Sequence, residues 1–310
     1  MNKNGIFEEI IKKRGKDYDV AVMYSGGKDS AYLLYLLRDV YKLRVKACIV
    51  DNGFENDFMW EPMRSFVEIN EIPLEIIKPG KENFANLFNT MITEAELFKR
   101  EKTNHICFIC NNLLWASVVK YACENEIPYV ASGLSLMQLS SGRPYPLEPN
   151  KMANSIAEKS TKVILNRAIA AFQQSNNYAT NEEFKKFIDG MSIEKSGVKT
   201  IYPYIYHQLS IEELKEKIVS MGWKSPNRVD VKDYISSGCR IMKYVIPELE
   251  KIGMITLNER EQAKAMVESG LADVKELEFA SYDATKDRPD FSHELFKELK
   301  VDEYLKSLKD

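Results

Sequence analysis

The stretch that decides the fold is Val20-Ala21-Val22-Met23-Tyr24-Ser25-Gly26-Gly27-Lys28-Asp29-Ser30. It begins with an apolar run typical of a buried strand, passes through two glycines, and leads into apolar residues at helical spacing. The first N–H groups of a helix have no partner within the helix and carry the positive end of its dipole, so they bind anions. Ser25 and Ser30 add hydroxyl donors, and Lys28 adds charge. The stretch therefore predicts a phosphate-binding turn between a strand and a helix.

A strand-to-helix turn of this kind has two other interpretations. A Walker A loop needs a glycine at position 22 and Ser or Thr after the lysine. The chain has Val22 and Asp29 at those positions, so a Walker A loop is excluded. A glycine-rich turn that binds no ligand stays open as an alternative, because such a motif is confirmed only by its structural context.

The six residues from Ser25 to Ser30 resemble the SGGxDS signature of the PP-loop (N-type) ATP pyrophosphatases, the adenine nucleotide alpha hydrolase superfamily. All fixed positions of the signature match. The resemblance implies an enzyme that cuts ATP between the α and β phosphates and leaves AMP on its substrate, with Mg²⁺ neutralising the leaving group. It implies that one loop grips the terminal phosphates and that Lys28 also takes part in catalysis. The loop residues are Ser25, Gly26, Gly27, Lys28, Asp29 and Ser30.

Strand and helix patterns alternate after this loop. Val45 to Val50 reads as a second buried strand, Leu74 to Ile77 as a third and Pro128 to Ser132 as a fourth, with helical patterns between them. Right-handed crossovers then make the strands parallel. We expect an α/β fold with a Rossmann-like, doubly wound parallel sheet of the adenine nucleotide alpha hydrolase type and a helical C-terminal region. A short last strand is predicted at Tyr202 to Ile205.

The domain prediction follows from the same patterns. An ATP-binding α/β domain is expected over 1–205, with a helical insertion at about 150–195, and a helical C-terminal region over 206–310. A capping box at Ser210 and Glu213 predicts the start of a helix that runs to Met221. Ser140 to Pro149 is rich in residues that break regular structure, and is expected to form a loop over the site.

Two residues at strand ends are further candidates for nucleotide binding. Ligands of doubly wound sheets bind beyond the carboxyl ends of the strands, where Ser25, Asp51 and Gly133 all fall. Asp51 would accept from a ribose hydroxyl or hold Mg²⁺. It is equally explained as a turn residue, since Asp-Asn-Gly favours turns without any ligand. Gly133 resembles the second nucleotide-contacting glycine of the PP-loop family, although the residues after it differ from those of many relatives.

Cysteines form the second group of candidate functional residues. Cys107 and Cys110 form a Cys-x-x-Cys pair at the predicted start of a helix, where the dipole lowers thiol pKa values and favours thiolate. Zinc takes four ligands and a cubane cluster at least three from protein, so a further cysteine is needed. Cys239, flanked by small polar residues and a cation, is the candidate. Cys48 and Cys123 are interpreted as packing residues. That Cys107 and Cys110 are buried small hydrophobic residues stays open.

A cysteine pair and a distant cysteine behind a PP-loop resemble the thiolating branch of the superfamily, which includes transfer-RNA 2-thiocytidine synthetases. In that branch three cysteines hold a [4Fe–4S] cluster or carry persulfide sulfur. The resemblance implies catalytic and metal-binding roles for Cys107, Cys110 and Cys239, with zinc as the alternative metal. The expected function is an AMP-forming sulfur transferase, in which an adenylated carbonyl or amide oxygen is replaced by sulfur.

Two alternative functions stay open. One is an ATP-dependent amidotransferase resembling the sugar amidotransferases, which would use ammonia from a separate glutaminase and carry zinc or inert cysteines. The other is a regulatory module that binds ATP without consuming it. Pyrophosphate release distinguishes an enzyme from a module, and iron and sulfide analysis distinguishes cluster-based thiolation from the zinc and ammonia alternatives.

Length and composition set outer limits. The chain has 310 residues, five cysteines and a net charge of −3, typical of a cytoplasmic enzyme without a disulfide framework. No segment approaches the roughly 20 apolar residues of a membrane span, and the first residues lack the apolar core of a secretory signal. Without a basic footprint, a small-molecule or carrier-tethered substrate is expected in preference to transfer RNA. A sulfur donor is the expected protein partner, and a homodimer is a candidate assembly.

Overall fold

Five strands form one parallel sheet in this protein. The computed structural model of the chain describes residues 5–98, 104–134, 139, 151–194, 196–207, 210–224, 238–257, 260, 264, 267–268 and 286–308. Within them the strand order is β3-β2-β1-β4-β5, and every neighbouring pair is parallel. The strands are β1 (Val20–Met23), β2 (Val45–Val50), β3 (Leu74–Ile77), β4 (Tyr129–Ala131) and β5 (Lys199–Ile201). This confirms the predicted doubly wound α/β fold.

The order of the strands creates a crevice at the carboxyl edge of the sheet. The chain runs outward from β1 to β2 and β3, then returns to place β4 on the other side of β1. The direction of winding therefore reverses between β1 and β4, which is where doubly wound sheets bind ligands. The loop after β1 begins at this reversal.

Helices cover both faces of the sheet because successive strand residues point to opposite sides. Val20 and Val22 pack into one apolar cluster, whereas Ala21 packs into the other. The first cluster also takes residues of α1 (Gly5–Lys12), α2 (Lys28–Tyr35), α3 (Asp57–Ile69) and α9 (Ile211–Ser220). The second face is covered by α4 (Lys81–Thr93), α5 (His105–Glu124), α6 (Lys151–Phe172) and α8 (Glu182–Asp189). The short helix α7 (Asn176–Thr180) connects α6 and α8.

The C-terminal helices share the second apolar cluster. They are α10 (Ile246–Lys251), α11 (Glu294–Glu298) and α12 (Asp302–Ser307). Val245, Phe296 and Leu305 are fully buried in the same cluster as Ala21 of β1. The C-terminal residues thus pack against the α/β core itself. The division at residue 205 stays a prediction.

Helix α5 is long and apolar enough to cross a membrane by length and composition alone, whereas the sequence analysis found no segment of that kind. Of its most apolar window, 61% is buried inside the protein. The core helix of a soluble protein passes the same test, because burial on all sides also requires apolar residues all round. Among the described residues this is the single helix that passes it.

Most element boundaries agree with the sequence analysis, and one strand does not. The fifth strand is Lys199–Ile201, whereas Pro203–Ile205 forms a 3-10 turn, so the strand predicted at Tyr202 to Ile205 was placed too late. Pro203 has no N–H for a strand ladder and starts a helical turn well. The Ser210/Glu213 capping box is confirmed at the start of α9. The predicted loop at Ser140 to Pro149 lies outside the described residues.

Candidate functional site

The loop after β1 leads directly into the N-terminus of α2. Gly26 adopts a positive φ of 74°, and a side chain there would overlap the buried side chain of Met63. Only glycine combines this backbone conformation with so close an approach. Gly27 is the N-cap of α2, and among the described residues no side chain caps the helix. The first N–H groups of α2 therefore lie at an open helix end, which fits a phosphate group.

The side chains of the loop hold it in shape. The Ser30 hydroxyl donates to the Gly27 carbonyl at 3.0 Å and accepts from the Ser25 N–H at 3.2 Å. The Ser25 and Ser30 hydroxyls are also 3.2 Å apart. Lys28 contacts both carboxylate oxygens of Asp29 at 2.8 Å, and the two side chains are 28% and 47% exposed. The lysine is thus within reach of an incoming phosphate, but it is paired with Asp29 in this conformation.

The two strand-end candidates have different surroundings. A Cβ on Gly133 would lie 3.6 Å from the Asp29 carbonyl and from the Ser30 nitrogen, so this glycine packs against the start of α2. The Asp51 carboxylate accepts from the Gly53 N–H at 3.0 Å. This is the Asx turn that the local sequence favours without a ligand. Its nucleotide or Mg²⁺ role stays a prediction.

Two aromatic donors reach the loop from far along the chain. The Trp223 indole N–H donates to the Gly26 carbonyl at 2.9 Å, and the Tyr204 hydroxyl donates to the Asp29 carbonyl at 2.5 Å. The sequence analysis named neither residue. No signal in the sequence relates them to the loop, because they are 197 and 175 residues away from their acceptors.

The cysteine pair begins helix α5. The Asn104 side chain caps this helix by accepting from the Cys107 N–H at 3.1 Å. Cys107 is half-buried, and its sulfur lies 3.6 Å from the sulfur of Met242. Cys110 is buried and its sulfur accepts a long contact from the Asn52 amide at 3.9 Å. Because Asn52 follows β2, the Cys110 thiol lies at the same edge of the sheet as the loop after β1.

Cys239 is held beside Glu55 and the end of β2. Cys239 and Glu55 form an isolated antiparallel bridge, and the Asn56 N–H donates to the Gly238 carbonyl at 2.8 Å. A Cβ on Gly238 would lie only 2.5 Å from the Glu55 carboxylate. The fold therefore brings Cys239 next to a partly buried carboxyl group that the sequence analysis did not single out.

Burial controls the protonation of these groups. The pKa of Cys110 is raised well above its ordinary value by burial first, and then by the charges of Cys239 and Cys107. The pKa of Cys239 is raised to about 11 by burial and by Glu55, against backbone hydrogen bonds that lower it. The expectation that the start of a helix makes Cys110 a thiolate is wrong, because desolvation outweighs the helix dipole. Burial and the Asp51 charge raise the pKa of Glu55 to about 7.

The remaining cysteines are Cys48 and Cys123. Cys48 is buried in β2, as the sequence analysis expected. Cys123 is exposed and donates to the Ser196 carbonyl at 3.3 Å, so its interpretation as a packing residue is wrong. Cys123 lies on the outward side of α5, one residue after the buried Ala122.

Helix α3 connects two parts of the candidate site. One is the loop from Ser25 to Ser30, called the phosphate loop below, and the other is the group of Cys107, Cys110 and Cys239, called the thiol region. Met63 packs against Gly26, and Met59 packs against Gly238. The two methionines are four residues apart, which is about 6 Å along a helix. Gly238 and Cys239 therefore lie about one helical turn from the loop.

The three thiols of Cys107, Cys110 and Cys239 are the candidate ligands of a metal site. Cys107 and Cys239 are both close enough to Cys110 for their charges to raise its pKa. Among the described residues, however, no group of three or more Cys, His, Asp or Glu side chains is arranged to hold a metal ion. In this conformation the donor set does not fit a bound cluster or zinc ion.

Three comparisons place these features beside known proteins. No protein-family model matches the sequence. The chain is 27% identical over 142 residues to the uncharacterized protein MJ1016 of Methanocaldococcus jannaschii, an overlap of 45% of this chain and 44% of that protein. It thus spans less than half the length of this curated relative. The U34-tRNA thiolase NcsA from Methanococcus maripaludis, solved with its [4Fe-4S] cluster, is similar over 73% of this chain and 67% of its own, at 16% identity and a TM-score of 0.38. At that TM-score and identity, the likeness says nothing about the function of this chain.

Proposed function

We propose that this chain is a PP-loop enzyme that transfers the AMP part of ATP to a carbonyl or amide oxygen and then replaces that oxygen with sulfur. The observation that carries the proposal is the placement of the start of α2 about one helical turn from Cys239, whose charge reaches Cys110. This helix start is opened by the SGGKDS loop and has no side-chain cap among the described residues. An open helix end binds phosphate, and thiols carry sulfur.

The loop residues would bind ATP as the first substrate. The N–H groups at the start of α2, with the Ser25 hydroxyl, would hold the β and γ phosphates, and the Ser30 hydroxyl would join them by turning from the Gly27 carbonyl. The Lys28 ammonium group has three donors and contacts Asp29 in this conformation. When ATP binds, it would contact a phosphate in place of Asp29. Asp51 and Gly133 would line the nucleotide at the neighbouring strand ends. Mg²⁺ bound to the phosphates would supply charge neutralisation of the leaving pyrophosphate.

The proposed reaction has two stages. A lone pair of the substrate oxygen attacks the α phosphorus, and the bond to the β phosphate breaks as pyrophosphate leaves. The terminal sulfur of a cysteine persulfide then attacks the activated carbon, and AMP leaves with the oxygen. A second cysteine thiolate attacks the inner sulfur of the persulfide, so the substrate keeps the outer sulfur and the two cysteines form a disulfide. A dithiol reductant restores the thiols, and a protein sulfur donor reloads the persulfide.

Cys107, Cys110 and Cys239 are the proposed sulfur carriers. A rearrangement that brings the three thiols together on a [4Fe–4S] cluster or a zinc ion is a variant of the same proposal. For the substrate we propose a small or carrier-tethered amide, since a net charge of −3 provides no basic footprint for RNA. A homodimer is the proposed assembly.

The first experiment tests whether ATP is cut at the α phosphate. The chain is incubated with ATP and a panel of amide metabolites, and AMP, ADP and pyrophosphate are measured. Ser30→Ala removes a hydroxyl that donates to a loop carbonyl, and Ser117→Ala removes a buried hydroxyl that donates to the Leu113 carbonyl at 2.9 Å within α5. We expect AMP and pyrophosphate, with at least a tenfold loss in the Ser30 variant and none in the Ser117 variant. Formation of ADP alone would refute the proposal.

The second experiment tests the sulfur step. Cys107→Ala, Cys110→Ala and Cys239→Ala are each compared with Cys123→Ala, which changes an exposed cysteine. We expect the first three to retain pyrophosphate release and lose the thiolated product, while the control keeps both. Iron, zinc and acid-labile sulfide are measured after anaerobic purification, because they identify a cluster or a zinc ion directly.

A second function, ATP-dependent nitrogen transfer, is favoured by one observation. Cys110 is buried with a raised pKa, and Cys107 lies against Met242, as expected of cysteines that pack. In that case ammonia from a separate glutaminase would displace AMP. Turnover with ammonia that persists in all three cysteine variants would select this function.

A further inference from the structure

The carbonyl of Gly26 is held by a side chain from the C-terminal part of the chain. The Trp223 indole donates to it at 2.9 Å. The backbone N–H of Trp223 donates to the Ile218 carbonyl at 2.9 Å, which fixes the residue to the end of α9. The Asn70 side chain donates to the Met221 carbonyl at 3.0 Å and ties the same turn to α3. The indole is therefore anchored to two helices that flank the phosphate loop.

The geometry of the peptide group transmits this contact to the open side of the loop. In a trans peptide the C=O and the following N–H point in opposite directions, and among the described residues no peptide is cis. Because the Gly26 carbonyl points toward Trp223, the Gly27 N–H points away from it. The surroundings of Gly27 are open as far as the described residues go, since a Cβ there would meet only the Ser25 hydroxyl among them, at 3.5 Å.

A glycine pair makes such an external restraint necessary. Gly26 and Gly27 lack the side chains that limit backbone rotation in other residues, so this peptide plane has more conformational freedom than its neighbours. The hydroxyls of Ser25 and Ser30 contact the Ser25 N–H and the Gly27 carbonyl, and neither contact fixes the Gly26 carbonyl.

We propose that Trp223 is a positioning residue of the phosphate loop: its indole holds the peptide between Gly26 and Gly27 so that the Gly27 N–H faces the phosphates of ATP. This inference rests on the proposed ATP-binding function. It makes the C-terminal part of the chain a component of the nucleotide site, although that part contributes no residue to the SGGKDS motif.

The experiment compares two tryptophan variants. Trp223→Phe keeps an aromatic ring and removes the N–H donor. Trp115→Phe makes the same change at a buried indole that donates to the Thr200 hydroxyl at 3.0 Å, on α5 and away from the loop. Dissociation constants for ATP and for adenosine, which has no phosphates, are measured for both variants and for the wild type, together with the thermal unfolding midpoint.

We expect Trp223→Phe to weaken ATP binding about three- to tenfold, the usual effect of one lost hydrogen bond, and to leave adenosine binding unchanged. Trp115→Phe should leave the ratio of the two affinities as it is in the wild type. A structural role alone would lower both affinities together. An unchanged ratio in Trp223→Phe would overturn the inference, whereas a wild-type protein that binds ATP no better than adenosine would overturn the proposed function.

A second measurement needs no change at Trp223. The chain contains three tryptophans, so ¹⁵N-labelled protein gives three indole N–H signals, which Trp60→Phe and Trp115→Phe assign. Addition of ATP should shift the Trp223 signal and leave the Trp115 signal in place. A Trp223 signal that stays fixed while ATP binds would also contradict the inference.

Discussion

The phosphate loop and the thiol region lie at the same edge of the sheet and are built in opposite ways. The loop is open: Ser25 is exposed, and Gly27 and Lys28 are half-exposed at an uncapped helix end. In the thiol region, burial keeps Cys110 protonated and raises the pKa of Glu55. A phosphate can therefore reach its donors without a rearrangement of the backbone. Sulfur chemistry at Cys110 requires a change that removes its desolvation or brings a positive charge to it.

The largest effect is expected for Gly26→Ala. The positive φ alone costs about 1–2 kcal/mol in a residue with a side chain, and the overlap with buried Met63 adds about 1–3 kcal/mol. We expect the free energy of unfolding to fall by about 2–5 kcal/mol and pyrophosphate release to be lost, as measured by urea unfolding and a product assay. Gly197→Ala is the matched control, because Gly197 has a φ of 69° and a Cβ there would have no described residue within 4 Å. Equal losses in both variants would show that the close approach to Met63 is unimportant.

Glu55→Gln tests the buried side of the comparison. The pKa of Glu55 is raised in the folded protein to about 7 from 4.5, so the folded state binds the proton more tightly than the unfolded state. The stability from this group is complete below pH 4.5 and is lost as the pH rises through about 7. In metal-free protein we expect Glu55→Gln to be neutral at pH 4 and to increase the free energy of unfolding by about 3 kcal/mol at pH 8. The exposed Glu126→Gln is the control, and the same result at both pH values for Glu55→Gln would mean that the carboxyl is not desolvated.

Cys110→Ser measures the cost of polarity in the thiol region. Within the described part of the chain, a hydroxyl at this buried position has the long contact from the Asn52 amide as its polar partner, so we expect a loss of about 1–2 kcal/mol in the free energy of unfolding. Cys123→Ser, at an exposed position, should change it by less than about 0.5 kcal/mol. Chemical denaturation of the reduced proteins makes the comparison. A Cys110 variant as stable as the Cys123 variant would indicate that the thiol region is hydrated.

The smallest effect on stability is expected for Lys28→Met on the open side. The ion pair with Asp29 is partly exposed, and such pairs contribute about 0–1 kcal/mol. Thermal unfolding should therefore shift little, while kcat/KM for ATP should fall about tenfold because a phosphate contact is lost. A large loss of stability with an unchanged kcat/KM would show that Lys28 stabilises the fold and does not contact a phosphate.

The positions of the loop and of β1 to β4 were predictable because each depends on local pattern. The capping box at Ser210 and Glu213 was found for the same reason, since its two hydrogen bonds connect residues three apart. The strand β5 was displaced because two of its three residues, Lys199 and Thr200, are polar, so the apolar run that indicates a buried strand begins only at Ile201. Glu55 was missed because its neighbour Cys239 is distant in sequence, and the exposure of Cys123 was missed because α5 is apolar around most of its circumference.

The sequence by itself determined a strand, two glycines and a helix start, because phosphate binding by a helix end needs only consecutive residues. It also determined that thiols would be available at the start of α5. Only the tertiary structure decided that Cys110 is buried, that Cys239 lies beside Glu55, and that Trp223 and Tyr204 hold the loop. Desolvation and long-range hydrogen bonds depend on which surfaces meet when the chain folds. The order of residues in the sequence does not show which distant residues come into contact.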